Sequence, residues 1–372
     1  SGHGFYQFSP EFFISCFIQK YGMELLELYV CKNGALYEEW VPVNYLEDIP
    51  GKRNLTKISG DDETYIIAVA KKIGIGESLV TNPPTQLSYV FDKKAKVEEE
   101  IDLTVTTAFF DLGRETWTGY KRSVEDYLNY SKNMLSLDCN MVIYTQENFY
   151  QHFKETRMKI DPELSKTRIV ILPLEQIPYY EYLEKITNLM NDDFFIHNIK
   201  NRHPDQLRPE ANYPIYNIVQ FAKSKFVSKT IQSNPFNTDY HCWMDAGIYH
   251  SGFPEEFRGK KFPSKNQDTL KDGKIHQFYR VFPKEKDIHK VSYYSELDDV
   301  RIVGAWFGGH KNALEIYSNI INKVVDDSIK EKVISDDQNI YTISYLENKD
   351  LFTLHDGNFA RNPYFAALDY FI

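Results

Sequence analysis

Residues 103–110 read LTVTTAFF, residues 140–144 read NMVIY, and residues 167–174 read TRIVILPL. Each run is short, apolar and rich in β-branched or aromatic residues, the make-up of a buried strand. Between the first two, SVED at residues 123–126 has the form of a capping box that opens a helix toward Leu135. Residues 147–157 read as a second helix. Strand and helix in alternation predict a mostly parallel α/β sheet covered on both faces. The pattern continues outward: helices over 178–190, 216–233, 310–332 and 336–347, and strands over 240–246, 276–282, 301–307 and 351–354. Two stretches, 192–214 and 251–274, read as long polar loops.

Upstream the texture differs. Residues 24–40 (ELLELYVCKNGALYEEW) alternate and break at Asn33-Gly34, a hairpin signal. Residues 64–70 and 86–91 are further strand candidates. The charged run DKKAKVEEEID at 92–102 reads as a solvated linker or edge. The expected organisation is a small, mostly-β accessory module over 1–100 and an α/β domain over 101–372, with no internal repeat.

The chain has 372 residues, with 43 Lys+Arg against 53 Asp+Glu and a net charge of −10. That balance argues against a protein that wraps nucleic acid, which needs a basic surplus. No run approaches the ~18 apolar residues of a membrane span. Aromatic residues make up 15% of the chain, which AT-rich codon usage accounts for in large part. A carbohydrate or nucleotide site lined by rings is the sharper reading. The four cysteines are far apart and form no CxxC pair, so buried thiols are expected rather than disulfides or structural zinc. No signal peptide is read in the sequence, which opens Ser1-Gly2-His3; a soluble protein is expected, its location unassigned.

Four segments carry chemistry. In TDYHCWMDAG (238–247) a strand ends in Asp245 and runs into Ala246-Gly247. Ligands of α/β sheets bind beyond strand carboxyl ends, where a carboxylate can hold Mg²⁺ or Mn²⁺; the alternative is an Asx turn. In VGAWFGGHK (303–311) Gly308-Gly309 precedes a helix and suits a close ligand, or serves a plain turn. In SDDQ (335–338) Ser335 reads as a helix cap, leaving Asp336, Asp337 and Gln338 to be explained. In TLHDG (353–357) His355 stands at a strand end and could complete a metal site with Asp245, although an isolated His is usually structural.

In their order these segments resemble the GT-A glycosyltransferases. VTTAFFDLGR (105–114), Asn234-Pro235-Phe236, WMDAG (243–247) and Asp337-Gln338 resemble, more narrowly, the HtrL/YibB-like family, over roughly residues 104–360. The resemblance implies a GT-A-like, Rossmann-type mixed sheet flanked by helices. It implies that Thr106, Thr107, Ala108 and Phe109 bind the nucleotide, with Arg114 near the phosphates. Asp245 would hold the metal with His355 as second ligand, since Gly247 stands where an Asp-x-Asp motif has its second acid. Lys225 would meet the diphosphate, with Lys223 and Lys229 competing for that role. Trp243, Gly308 and Gly309 would lie at the donor, and Asp336, Asp337 and Gln338 would face the reacting sugar.

The implied activity is a Mn²⁺- or Mg²⁺-dependent transfer of a hexose from a UDP-sugar, best UDP-glucose with retention, to a glycan or glycosylated protein. The composition also resembles that of giant-virus proteins. The domain content is similar to a virally encoded enzyme that glucosylates galactosyl-hydroxylysine of collagen, which would place it in host cytoplasm. A cation and Lys/Arg would stabilise the leaving diphosphate. The alternatives are a non-catalytic carbohydrate- or protein-binding module on a degenerate fold, and a metal-dependent phosphohydrolase. The N-terminal module is expected to be accessory or to mediate a homodimer.

Overall fold

The computed structural model describes residues 23–32, 41–42, 64–72, 100–201, 205–250, 252–288, 300–334 and 336–372. The chain divides into two units, Ser1–Glu99 and Glu100–Ile372. In the first, β1 (Met23–Lys32) pairs antiparallel with β2 (Val41–Pro42) and with β3 (Thr64–Lys72), and its register against β3 shifts between Leu25 and Glu27. Asn33-Gly34 and residues 86–91 lie outside the described residues.

The second unit is built on seven strands in the order β10-β8-β9-β7-β4-β5-β6. They are β4 (Leu103–Phe109), β5 (Asn140–Thr145), β6 (Thr167–Ile171), β7 (Tyr240–Met244), β8 (Ile275–Tyr279), β9 (Ile302–His310) and β10 (Phe352–Asp356). β9 pairs antiparallel with both β7 and β8, and the other pairings are parallel, so six strands share one direction and β9 runs against them. A strand covered on both faces is buried along its whole length, and β4 is buried at every position but Ala108, with its polar positions filled by the β-branched Thr104, Thr106 and Thr107.

Helices α1 (Val124–Leu135), α2 (Tyr150–Arg157) and α7 (Ala366–Phe371) cover one face. They pack with Val105, Met141, Cys242, Phe278 and Trp306. Helices α3 (Leu183–Met190), α4 (Pro214–Ser233), α5 (Lys311–Lys330) and α6 (Asp337–Glu347) cover the other. Their apolar partners on the sheet include Val142, Tyr144, Trp243 and Phe307. The expected capping box is present: Ser123 Oγ accepts from Asp126 N at 3.0 Å, and Asp126 Oδ2 from Ser123 N at 3.1 Å. Arg157, fully buried at the end of α2, donates to the carbonyls of Leu135, Leu137 and Cys139 at 2.7–2.9 Å, satisfying the open end of α1.

Three expectations need correction. The stretch read as a polar loop at 192–214 is partly helical, over Asp193–Phe195 and Ile196–Lys200. Phe195 and Ile199, buried four residues apart, carry that turn among polar neighbours. β9 does not stop at Phe307 but continues through Gly308 and Gly309 to His310. The cap of α6 is Asp336, whose side chain accepts from Asn339 N at 3.1 Å, with Ser335 outside the described residues. Cys139 and Cys242 are free and buried. No helix among the described residues is long and apolar enough to cross a membrane.

His241, inside β7, is fully buried, and burial drags its pKa down to about 4 against a weaker pull upward from the Thr238 carbonyl. The unfolded chain therefore takes up this proton first as pH falls. The stability is complete above about 6.5 and is lost progressively toward about 4. Replacing His241 by Gln should remove up to about 1.4 kcal/mol per pH unit from the slope of stability across that window. Urea unfolding at a series of pH values measures it; an unchanged slope would refute the assignment.

Candidate functional site

The chain passes from β4 to β5 to β6 on one side and returns to place β7 on the other side of β4. The connections leaving β4 and β7 therefore run to opposite sides of the sheet, and the crevice at the carboxyl ends of such a strand pair is where open α/β sheets bind ligands. The β4–β7 ladder ends at Thr106↔Trp243. Asp245 follows β7, held by its backbone N–H on Ala305 O at 3.0 Å. Trp243 lies two residues back on the same face, and its indole Nε1 donates to Asp245 Oδ1 at 2.6 Å.

Above this carboxylate lies Lys223, on α4 and 3% exposed. Its Nζ stands 2.8 Å from Asp245 Oδ1, 2.5 Å from Asp337 Oδ2 and 3.1 Å from Gly304 O. Those three acceptors match the three protons of an ammonium. Burial works to lower the Lys223 pKa, but the Asp245 and Asp337 charges outweigh it and hold it above the ordinary lysine value. Burial pushes the Asp337 carboxyl up, with Lys223 opposing. The Asp336 carboxyl is pushed well up by burial and by Glu210 and Asp337. Gly304 makes the approach feasible: a Cβ at this position would lie 2.4 Å from Asp337 Oδ2.

A second layer closes the crevice. Arg114, just after β4, donates to the Tyr127 hydroxyl and, at 3.1 Å, to Tyr120 O. Its guanidinium lies 4.8 Å from the Trp117 ring centroid and 5.6 Å from that of Tyr216. Arg208 Nε pairs with Glu210 at 3.3 Å. The phenol of half-buried Tyr216 is pushed well above its usual value by desolvation, then by Glu210, Asp337 and Asp336, with Arg114 opposing. The charges of Arg114, Glu210, Asp336 and Asp337 thus all act on one phenol.

Several expected residues do meet here: Asp245, Trp243, Asp337, Asp336 and Arg114. Thr106 and Thr107 are buried in the ladder, and of the four residues expected to meet the nucleotide only Ala108 is half-exposed. Gln338 is half-buried on the first turn of α6. Lys225 sits two residues, roughly 200°, around the helix from Lys223, so the competing Lys223 is the lysine at the site. Gly308 and Gly309 pair with Cys242 and His241, at the amino end of β7. Because β9 runs backwards, they lie about 10 and 13 Å from Asp245 along the strands, packed against Trp306 and Lys274. Gly304 is the glycine of the site.

His355 is not brought to Asp245. It lies on β10, three strand spacings or roughly 14 Å from β7. It faces the α7 side, its ring 5.1 Å from Phe278 and 5.0 Å from Tyr370. There it bonds His276 at 3.0 Å, which bonds Asp272 at 2.9 Å. Trp306 also faces that side. Among the described residues no group of three His, Cys, Asp or Glu side chains could hold a metal ion. At Asp245 one carboxylate oxygen is already shared by Lys223 and Trp243. The residues present do not fit a divalent ion held between protein carboxylates.

The family described as "Bacterial protein of unknown function (HtrL_YibB)" matches residues 101–371. The chain belongs to the HtrL/YibB family. The match coincides with the second structural unit, and no part of the first falls within it. This HtrL/YibB chain is 25% identical to Protein HtrL of Escherichia coli (strain K12) over 269 residues, 68% of the chain and 87% of the relative. Solved structures similar to it include mouse xyloside xylosyltransferase 1 (TM-score 0.36, 11% identity, 69% of this chain and 86% of that one). Another is core-mannan synthase A of Aspergillus fumigatus in a Mn/GDP form (TM-score 0.41, 9% identity, 70% and 74%). A third is the galactosyltransferase LgtC with donor and acceptor sugar analogues (TM-score 0.33, 10% identity, 68% and 72%).

Reasoning from sequence missed the priority of Lys223, and also Gly304, Arg208, Glu210 and Tyr216. Its one usable signal was a lysine inside a helix whose polar and apolar residues do not separate onto opposite faces, as in α4. Lys223→Met would leave Asp337 buried without its cation and should cost about 3–5 kcal/mol in urea unfolding. Adding Asp337→Asn should recover part of that loss. A single-variant loss under about 1 kcal/mol would show that the ammonium is not locked in place.

Proposed function

We propose that this chain is a glycosyltransferase that moves a hexose from a nucleotide sugar, UDP-glucose as the first candidate, to a glycan or glycosylated protein. The observation that carries the reading is the gathering of Arg114, Lys223, Asp245 and Asp337 at the carboxyl ends of β4 and β7. A sugar–phosphate bond that breaks leaves a diphosphate with growing negative charge. A guanidinium group fixed beforehand, as Arg114 is, stabilises that charge without having to reorganise. Ala108, half-exposed at the end of β4, gives the nucleotide a backbone edge.

Asp245 is about one-third exposed, and Trp243 and Lys223 fix its rotamer. Its remaining oxygen is the candidate acceptor for a donor hydroxyl. Asp336 and Asp337 are the candidate carboxyl groups to face the positive charge that would develop on the sugar. Burial raises the Asp336 carboxyl pKa, the direction that suits a group exchanging a proton with the acceptor. The collagen-type acceptor and the retaining outcome rest on the sequence resemblance. The three-stranded N-terminal unit is read as an accessory module.

The test is a thermal-shift and turnover screen of UDP, UDP-glucose and UDP-galactose on the full chain. Stabilisation by UDP and release of UDP from one of the sugars are expected. Asp245→Asn should lower turnover by about 10²-fold or more while the protein still unfolds cooperatively. UDP binding without turnover on any sugar, or no response to UDP or either UDP-sugar, would refute the UDP-sugar transferase reading and favour the non-catalytic module.

A further inference from the structure

We infer that Lys223 is the resident cation of this site, and that the chain binds a nucleoside diphosphate through Arg114 and Arg122 with no divalent ion bridging Asp245 and Asp337. The inference rests on the glycosyltransferase reading and deepens it.

A divalent ion at a strand-end carboxylate is usually shared between one or two carboxylates and the phosphates of the substrate. The acidic side chain that faces Asp245 across the site is Asp337. Lys223 Nζ already stands between them, 2.8 Å from one and 2.5 Å from the other. Its third contact is the carbonyl of Gly304 at 3.1 Å, so the ammonium has no proton left over and no reason to swing away. The same Asp245 oxygen accepts the Trp243 indole N–H, a donor that cannot coexist with a metal on that lone pair. An ion entering this space would meet a buried like charge at contact distance. His355 is on the opposite face of the sheet, packed on Phe278 and Tyr370.

The positive charge that a diphosphate requires is present in another form. Two guanidinium groups converge on the Tyr127 ring, Arg114 at 5.3 Å and Arg122 at 5.6 Å from its centroid. Tyr127 in turn lies against Gly247, two residues after Asp245: a Cβ built there would sit 3.4 Å from the ring. A side chain at position 247, where the second acid of an Asp-x-Asp motif would stand, would begin in contact with Tyr127. Position 247 carries no acid, and two arginines converge on the tyrosine ring beside it. Guanidinium forks pair with phosphate oxygens through two parallel hydrogen bonds, and their charge does not depend on pH in the physiological range.

The test is calorimetric titration of UDP into the full chain, once with EDTA and once with excess Mn²⁺. The wild-type Kd should agree between the two within about threefold. Arg114→Gln with Arg122→Gln should weaken UDP binding in EDTA by about tenfold or more. Lys223→Ala should acquire a dependence on Mn²⁺, because it frees Asp245 and Asp337 to share an ion. If that variant does not fold, the wild-type comparison decides alone. UDP binding to the wild type that is abolished by EDTA and restored by Mn²⁺ overturns the inference and leaves the glycosyltransferase reading standing. Failure of UDP and the other nucleoside diphosphates to bind under either condition overturns both.

Discussion

The Lys223 ammonium is the interaction on which the arrangement of this domain turns. Its acceptors come from three places: the end of β7, the start of β9 and the first turn of α6. Lys223 itself belongs to α4, so one charge ties four elements together. A buried charge is tolerated only where every partner is in position, because a single missing acceptor leaves it desolvated without compensation. The demand fixes the rotation of α4 about its axis, the depth at which α6 begins and the pitch of the chain leaving β7. Apolar packing alone would accept small slips at each of these contacts.

The fold was legible as far as β7 because parallel strands need helical crossovers, and the sequence alternates accordingly from Leu103 to Met244. The reversal of β9 was not legible. Nothing in VGAWFGGHK distinguishes a strand that runs with its neighbours from one that runs against them. That one unseen bit moved Gly308 and Gly309 to the far end of the sheet and left Gly304 at the site. His355 failed for a related reason. Its place near a strand end was read correctly, but strand residues alternate between faces, and which helices cover which face is settled only by the tertiary structure.

The individual side chains follow the same logic. Asp245 and Arg114 stand directly after strand ends, where position along the chain and position in space nearly coincide. Asp337 opens a helix and could be found by its turn of acids. Lys223 lies in mid-helix, and its partners are 22, 81 and 114 residues away, so only a folded chain shows that it outranks Lys225. Glu210 and Arg208 sit in a segment that reads as loop, and nothing in its sequence shows that the Glu210 charge acts on Tyr216.

Gly304 has a consequence beyond this one molecule. The carboxylate of Asp337 occupies the volume that a methyl group at 304 would need. Size at the first position and acidity at the second are therefore not independent traits: lineages that keep the acid are confined to glycine, and those that gain a side chain must surrender or retract the acid. The two positions should drift together through evolution as one inherited unit, and the state of that unit in any given relative reports whether it has kept the same buried charge cluster.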